Sequence, residues 1–186
     1  MTERYSKLAV VLHWLIAIGI FLNLKSGLGF DDLPKDQAAA AFAFHESIGI
    51  SVLGLVVLRV LWRMGNPPPA PLANLKPLER RVSLGIHHLL YLLSVLIPLS
   101  GWLTASAHKD AGGHGMVLFN TVPWFNFPGF GGLGDPARHQ AHELLGAVHS
   151  ACAWVIMAAL VLHVGGALKH QFIDREKMLQ RMWFGR

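Results

Sequence analysis

Four stretches of the chain are apolar for long enough to constrain everything else. Residues 8–25, 38–63, 82–107 and 140–168 are built from Leu, Val, Ile, Ala and aromatic residues with very few charges, and the polar, Gly and Pro positions gather between them. None of the four carries a polar stripe wide enough to face water, which sets aside a soluble bundle of greasy helices. A bilayer core of about 30 Å is crossed by roughly 20 helical residues, a length the first stretch meets marginally and the others comfortably. Inside lipid each backbone N–H and C=O needs a partner within its own segment, so such stretches have to be helices. The pattern predicts an all-α integral membrane four-helix bundle, a single domain over residues 1–186.

The first stretch also resembles a secretory signal, with Arg4 and Lys7 in front of it. Asn23, Lys25 and Phe30 follow where a cleavage site requires small residues, so it reads as a retained first helix. Composition agrees with the pattern: 53% of residues are hydrophobic and 15% charged, against about a quarter charged in ordinary soluble domains. The one cysteine, Cys152, allows no intrachain disulfide.

Charge distribution supplies an orientation. Of the sixteen Lys and Arg residues, twelve lie at the N-terminal end, in residues 59–81 or at the C-terminal end. The opposite side has only Lys25, Lys35, Lys109 and Arg138. Four spans put both termini and the middle loop on one side, and the excess of positive charge makes that side cytoplasmic. The same distribution argues against a nucleic-acid partner, because the basic residues flank apolar spans and form no stripe with interleaved aromatics.

Between the spans, Pro67, Pro68, Pro69 and Pro71 enforce an extended inner loop. Pro98, followed by Gly101, predicts a kink in the third helix. The longest connection, about residues 108–138, is rich in Gly and carries Phe119, Trp124, Phe125, Phe127 and Phe130. Aromatics at that level suit a membrane interface, so this loop is expected to lie across the outer mouth of the bundle.

The chain has eleven histidines. His13, His45, His149 and His163 fall within the spans, where an ionisable group is costly and points to function. A neutral imidazole can ligate haem iron through one nitrogen while the other donates to a nearby acceptor. His13 lies early in the outward-going first helix, near the inner face. His45 lies early in the inward-going second helix, near the outer face. His149 and His163 are fourteen residues apart on the last helix, about 21 Å along its axis and on nearly the same face. Depth therefore pairs His45 with His149 outside and His13 with His163 inside, and predicts two bis-histidine haem b groups stacked across the bilayer. The bland competitor, helix–helix hydrogen bonding by each histidine, explains one such residue more readily than four that pair at two depths. A separate outer metal site on His139, His142, Glu143, His108 and His114 is a competing reading, although the HExxH spacing is absent.

Several stretches are similar to the bacterial cytochrome b-561 family over about residues 5–182. They are Tyr5-Ser6 with His13-Trp14; His45 with Gly49, Arg59 and Arg63; His87 to Tyr91; Pro98-Leu99-Ser100-Gly101-Trp102; and His149, Leu162-His163, Ala167-Leu168-Lys169-His170, Gln171-Phe172 and Leu179-Gln180-Arg181-Met182. The resemblance implies four helices, two haem b groups and axial ligands at His13, His45, His149 and His163, in a multi-pass protein of the bacterial inner membrane. Within that family some members oxidise superoxide at the outer face and pass electrons to a quinone, while others are carriers or anchors for separate redox subunits.

The leading expectation is single-electron transfer from superoxide, or another periplasmic donor, to ubiquinone. Lys109, Arg138 and His139 would attract a small anion, although Asp31, Asp32, Asp36, Asp110 and Asp135 confine any such field. Arg59 and Arg63 are candidates for haem propionates, with snorkelling at a helix end as the plain alternative. His87 and His88, beginning the third helix, and His170, beyond the inner haem, are candidates for a quinone or its proton supply. The competing functions are a relay for a separate redox partner and a haem-free, histidine-based metal or proton transporter.

Overall fold

The computed structural model describes residues 4–30, 33–70, 75–108 and 115–183. Four long helices account for most of it: α1 (Lys7–Gly27), α2 (Lys35–Gly65), α3 (Pro77–Ala107) and α4 (Asp135–Leu168). Each contains a stretch long and apolar enough to cross a membrane. A short antiparallel hairpin, β1 (Met116–Leu118) with β2 (Val122–Trp124), lies between α3 and α4. The helices form a membrane four-helix bundle, with α1 against α2, α2 against α3 and α3 against α4.

The helices run past three of the sequence-predicted limits, through proline and polar residues that the apolar pattern leaves out. α3 begins at Pro77 rather than near residue 82: proline stands at the first helical position, and the Lys76 N–H donates to Glu79 Oε2 at 3.3 Å. α4 begins at Asp135 with Pro136 in its first turn, and α2 begins at Lys35 after Pro34. At α1 the limits nearly coincide, and Ser6 caps the helix by accepting from the Ala9 N–H.

At the centre, Ile16, Val52 and Val56 are buried together, with Ile20, Ile48, Leu55 and Val95 against them. Gly19 lets α1 and α2 close in, since a Cβ there would lie 2.5 Å from Val52 Cγ2. The other faces are turned outward with their large apolar side chains bare, as at Phe21 and Trp154. That arrangement suits lipid as the surrounding solvent.

The chain ends meet. The Tyr5 N–H donates to Arg181 O at 3.3 Å, Trp14 Nε1 donates to Met182 O at 2.8 Å, and Arg181 Nη2 donates to Ala70 O at 2.7 Å. The tail reaches this clasp through a π-helical turn (Lys169–Ile173) and a 3-10 turn (Leu179–Met182). The end of the bundle where the termini meet is termed inner below.

At the outer end the long connection holds the hairpin that the sequence pattern treats as loop. Its tip turns through Phe119 and Asn120, both at positive φ (52° and 56°), a backbone region costing about 1–2 kcal/mol for a residue with a Cβ. The fully buried Ser47 of α2 holds the tip by accepting from the Phe119 N–H at 2.8 Å. Ser106 accepts from the Phe127 N–H, and Trp102 Nε1 donates to Phe125 O. The aromatics are thereby fixed over the outer end of the bundle.

Candidate functional site

The histidines paired by depth are neighbours in space. At the outer level the His45 and His149 rings have centroids 6.0 Å apart. At the inner level those of His13 and His163 are 6.2 Å apart. Both pairs are inclined at 68°. A metal–imidazole bond of about 2.0–2.1 Å, plus roughly 1.1 Å from nitrogen to ring centre on each side, places collinear ring centres about 6.2–6.4 Å apart. Each pair stands within a few tenths of an ångström of the spacing for bis-histidine ligation of a haem iron, and the donor set fits the group.

Both outer imidazoles face hydrogen-bond acceptors at Nδ1. Ser26 Oγ donates to Asn23 O at 3.1 Å and lies 3.0 Å from His45 Nδ1; with its proton on Asn23 O the hydroxyl accepts from Nδ1–H, and Nε2 keeps its lone pair. His149 Nδ1 lies 2.9 Å from Ile97 O and 3.3 Å from Ser100 Oγ, and that hydroxyl is itself committed to Ile97 O. A carbonyl only accepts, so His149 also carries hydrogen on Nδ1. Gly27 and Gly101 present bare Cα atoms to the two outer rings.

A third imidazole joins the inner level. α3 starts at Pro77, so His87 lies ten residues inside it and not at its beginning, where the apolar pattern places it. Its ring centre is 5.0 Å from that of His163, edge to face, too near for a metal between them. His87 Nδ1 donates to Ser83 O at 2.6 Å. His88 makes the equivalent bond to Leu84 O. Close by, Arg59 donates through Nη1 to Ala9 O (2.6 Å) and through Nε to the Tyr91 hydroxyl (3.0 Å). Arg63 Nη1 reaches the same hydroxyl at 3.3 Å. Both guanidinium groups lie over the Tyr91 ring, 5.8 and 5.4 Å from its centre.

His170 is buried, but its Nδ1 pairs with Asp174 Oδ2 at 2.7 Å rather than with the inner imidazoles. Asp174 also takes Lys169 Nζ at 2.7 Å, and that ammonium bridges to Glu79 at 2.9 Å. Hydrogen bonds from Lys169 and then His170 hold the Asp174 carboxyl below its ordinary pKa.

At the outer mouth the His108 and His142 rings approach to 5.4 Å. His142 Nδ1 is engaged by Thr104 O, and Arg138 Nη2 by His108 O. No group of three or more His, Cys, Asp or Glu among the described residues is placed to hold a metal ion. Asp31, Asp32, Lys109, Asp110 and His114 lie outside the described residues. Ser26 and the close approach of His87 escaped sequence reasoning, since no motif marks a hydroxyl that faces a histidine from another helix.

The sequence model of prokaryotic cytochrome b561 matches residues 4–185. The chain is 37% identical over 182 residues to "Cytochrome b561 homolog 2" of Escherichia coli, covering 97% of this chain and 91% of that one. It is 24% identical over 186 residues to "Probable superoxide oxidase CybB" of Yersinia pestis, covering 98% and 97%. Over 192 residues it is 26% identical to "Cytochrome b562" of Cereibacter sphaeroides, covering 98% of each. With four membrane-spanning helices around these imidazoles, the chain belongs to the prokaryotic cytochrome b561 family, multi-pass b-haem electron-transfer proteins of the bacterial inner membrane.

Proposed function

We propose that this protein carries single electrons across the inner membrane from superoxide at the periplasmic face to ubiquinone, using two haem b groups. The observation that carries the reading is the pair of imidazole couples, 6.0 and 6.2 Å between ring centres, at two depths of one bundle. His45 and His149 would hold the outer iron, and His13 and His163 the inner one. When bound, the haems supply two one-electron stations. Both termini lie in the cytoplasm, an orientation supported by the excess of basic residues at the inner end.

Two superoxide anions each give up one electron and leave as dioxygen. Ubiquinone takes up two electrons and two protons and leaves as ubiquinol. Lys109, Arg138 and His139 draw the anion to the outer mouth. Among the described residues, Arg59 and Arg63 each keep most of their five N–H donors uncommitted to protein acceptors, and these hold the inner propionates. His87 offers Nε2 at the inner level. His170, tied through Nδ1 to Asp174, keeps Nε2 for a quinone or its protons. A further support is the relative named a probable superoxide oxidase.

The test has two parts. A pyridine haemochrome assay of the cofactor-replete protein should give two haem b per chain with low-spin spectra, and one haem or none would refute the ligand assignment. Stopped-flow mixing of superoxide with reconstituted protein should reduce the haems rapidly, and ubiquinone should reoxidise them. Reduction no faster than spontaneous dismutation permits would leave electron carriage with a different donor.

A further inference from the structure

The two histidine pairs match in spacing and differ in what holds them. Each outer imidazole donates through Nδ1 to a fixed acceptor on another helix: Ser26 Oγ of α1 for His45, Ile97 O and Ser100 Oγ of α3 for His149. Neither His13 nor His163 has a hydrogen bond on either ring nitrogen among the described residues.

A ligating imidazole that gives a hydrogen bond from its remote nitrogen becomes a stronger donor to the metal. Stronger donation stabilises ferric iron more than ferrous, and hydrogen bonding around axial ligands is one of the ways a protein sets a haem potential. The inner level has the opposite bias. Arg59 is anchored on Ala9 O, one turn before His13, and a fixed positive charge favours the reduced state of a nearby redox centre.

We propose that Ser26 is a positioning residue that, with the Ile97 carbonyl facing His149, holds the outer imidazoles as Nδ1–H donors and sets the outer haem at a lower potential than the inner one. Electrons entering outside then run downhill toward the quinone side, and the direction of transfer is written into the hydrogen bonding of the ligands. The inference rests on the ligand assignment proposed above and adds to it an order of potentials.

The experiment is a spectroelectrochemical titration of the haem-replete protein in detergent or nanodiscs. His45→Ala identifies the outer haem as the one whose low-spin signal is lost. In the unsubstituted protein the haem so identified should have the lower midpoint. Ser26→Ala should raise the outer midpoint, leave the inner one in place and keep both low-spin spectra. Ser26→Thr, which restores the hydroxyl, should bring the midpoint back. An outer haem of higher potential than the inner overturns the proposal, as does a Ser26→Ala midpoint that stays put or moves only at the inner haem. Retention of both low-spin signals in His45→Ala would instead overturn the ligand assignment, and this inference with it.

Discussion

Gly101 faces the His149 ring so closely that a Cβ in its place would lie 3.0 Å from Cε1 and 3.1 Å from Nδ1. The imidazole is already held by Ile97 O, so it has no easy retreat. Gly101→Ala is therefore expected to push the ring off its acceptor and disturb the outer haem, with an overpacking cost of about 1–3 kcal/mol. The inner haem should keep its spectrum. Low-temperature optical spectra that resolve the two haems would check this, and an unchanged outer signal would show that α3 and α4 can part at that level.

The two levels should also be separable by removing ligands. His149→Ala is expected to abolish the low-spin signal of the outer haem and His163→Ala that of the inner. If His163→Ala removed the outer signal and spared the inner, the pairing by depth would be inverted.

Charge at the outer mouth should act on rate rather than on spectra. Reversing Lys109 and Arg138 together is expected to slow reduction by superoxide and to flatten its salt dependence. Exposed charges are screened beyond about 10 Å at 0.1 M salt, so the unsubstituted protein should slow as ionic strength rises. A variant with unchanged rate at low salt would place the steering charge elsewhere.

The inner clasp should loosen in acid. Hydrogen bonds from Lys169 and His170 keep the Asp174 carboxyl below its ordinary value. A carboxyl depressed in the folded state stabilises above the ordinary range of about 3.9 and loses that contribution as pH falls through the folded value. Protection of the Glu176 N–H, which donates to His170 O at 2.8 Å, against hydrogen exchange relative to an unstructured amide at the same pH is expected to fall over that acidic window. Asp174→Asn should already show the lower protection at neutral pH, with little further loss on acidification.

The apolar blocks were enough to find four helices and their order, because lipid leaves a spanning segment no alternative to helix. Counting residues from the helix ends was enough to bring His45 near His149 and His13 near His163, since rise per residue is fixed. What stayed hidden depends on rotation about helix axes and on contacts between helices. His87 looked like a helix-start residue because Pro77, Glu79, Arg80 and Arg81 read as loop, although proline and a capping carboxylate make a good first turn. The hairpin was hidden because its strands have three residues each. It is held by Ser47, which lies 72 positions from the Phe119 N–H it accepts. Ser26 carries no signature at all until His45 is placed opposite it.

One consequence concerns how the protein is made. α4 contributes one imidazole to each pair, and its partners are on α1 and α2, the first two helices to emerge. Until the last helix is threaded into the membrane, each early helix displays half of a ligand set in lipid and no haem can be gripped from both sides. With the ligands proposed above, capture of either haem waits for α4 and depends on that single segment. A nascent chain that stops between His149 and His163 would have the proposed ligands of the outer station only. One that stops before His149 has none, whatever the quality of the three helices already in place.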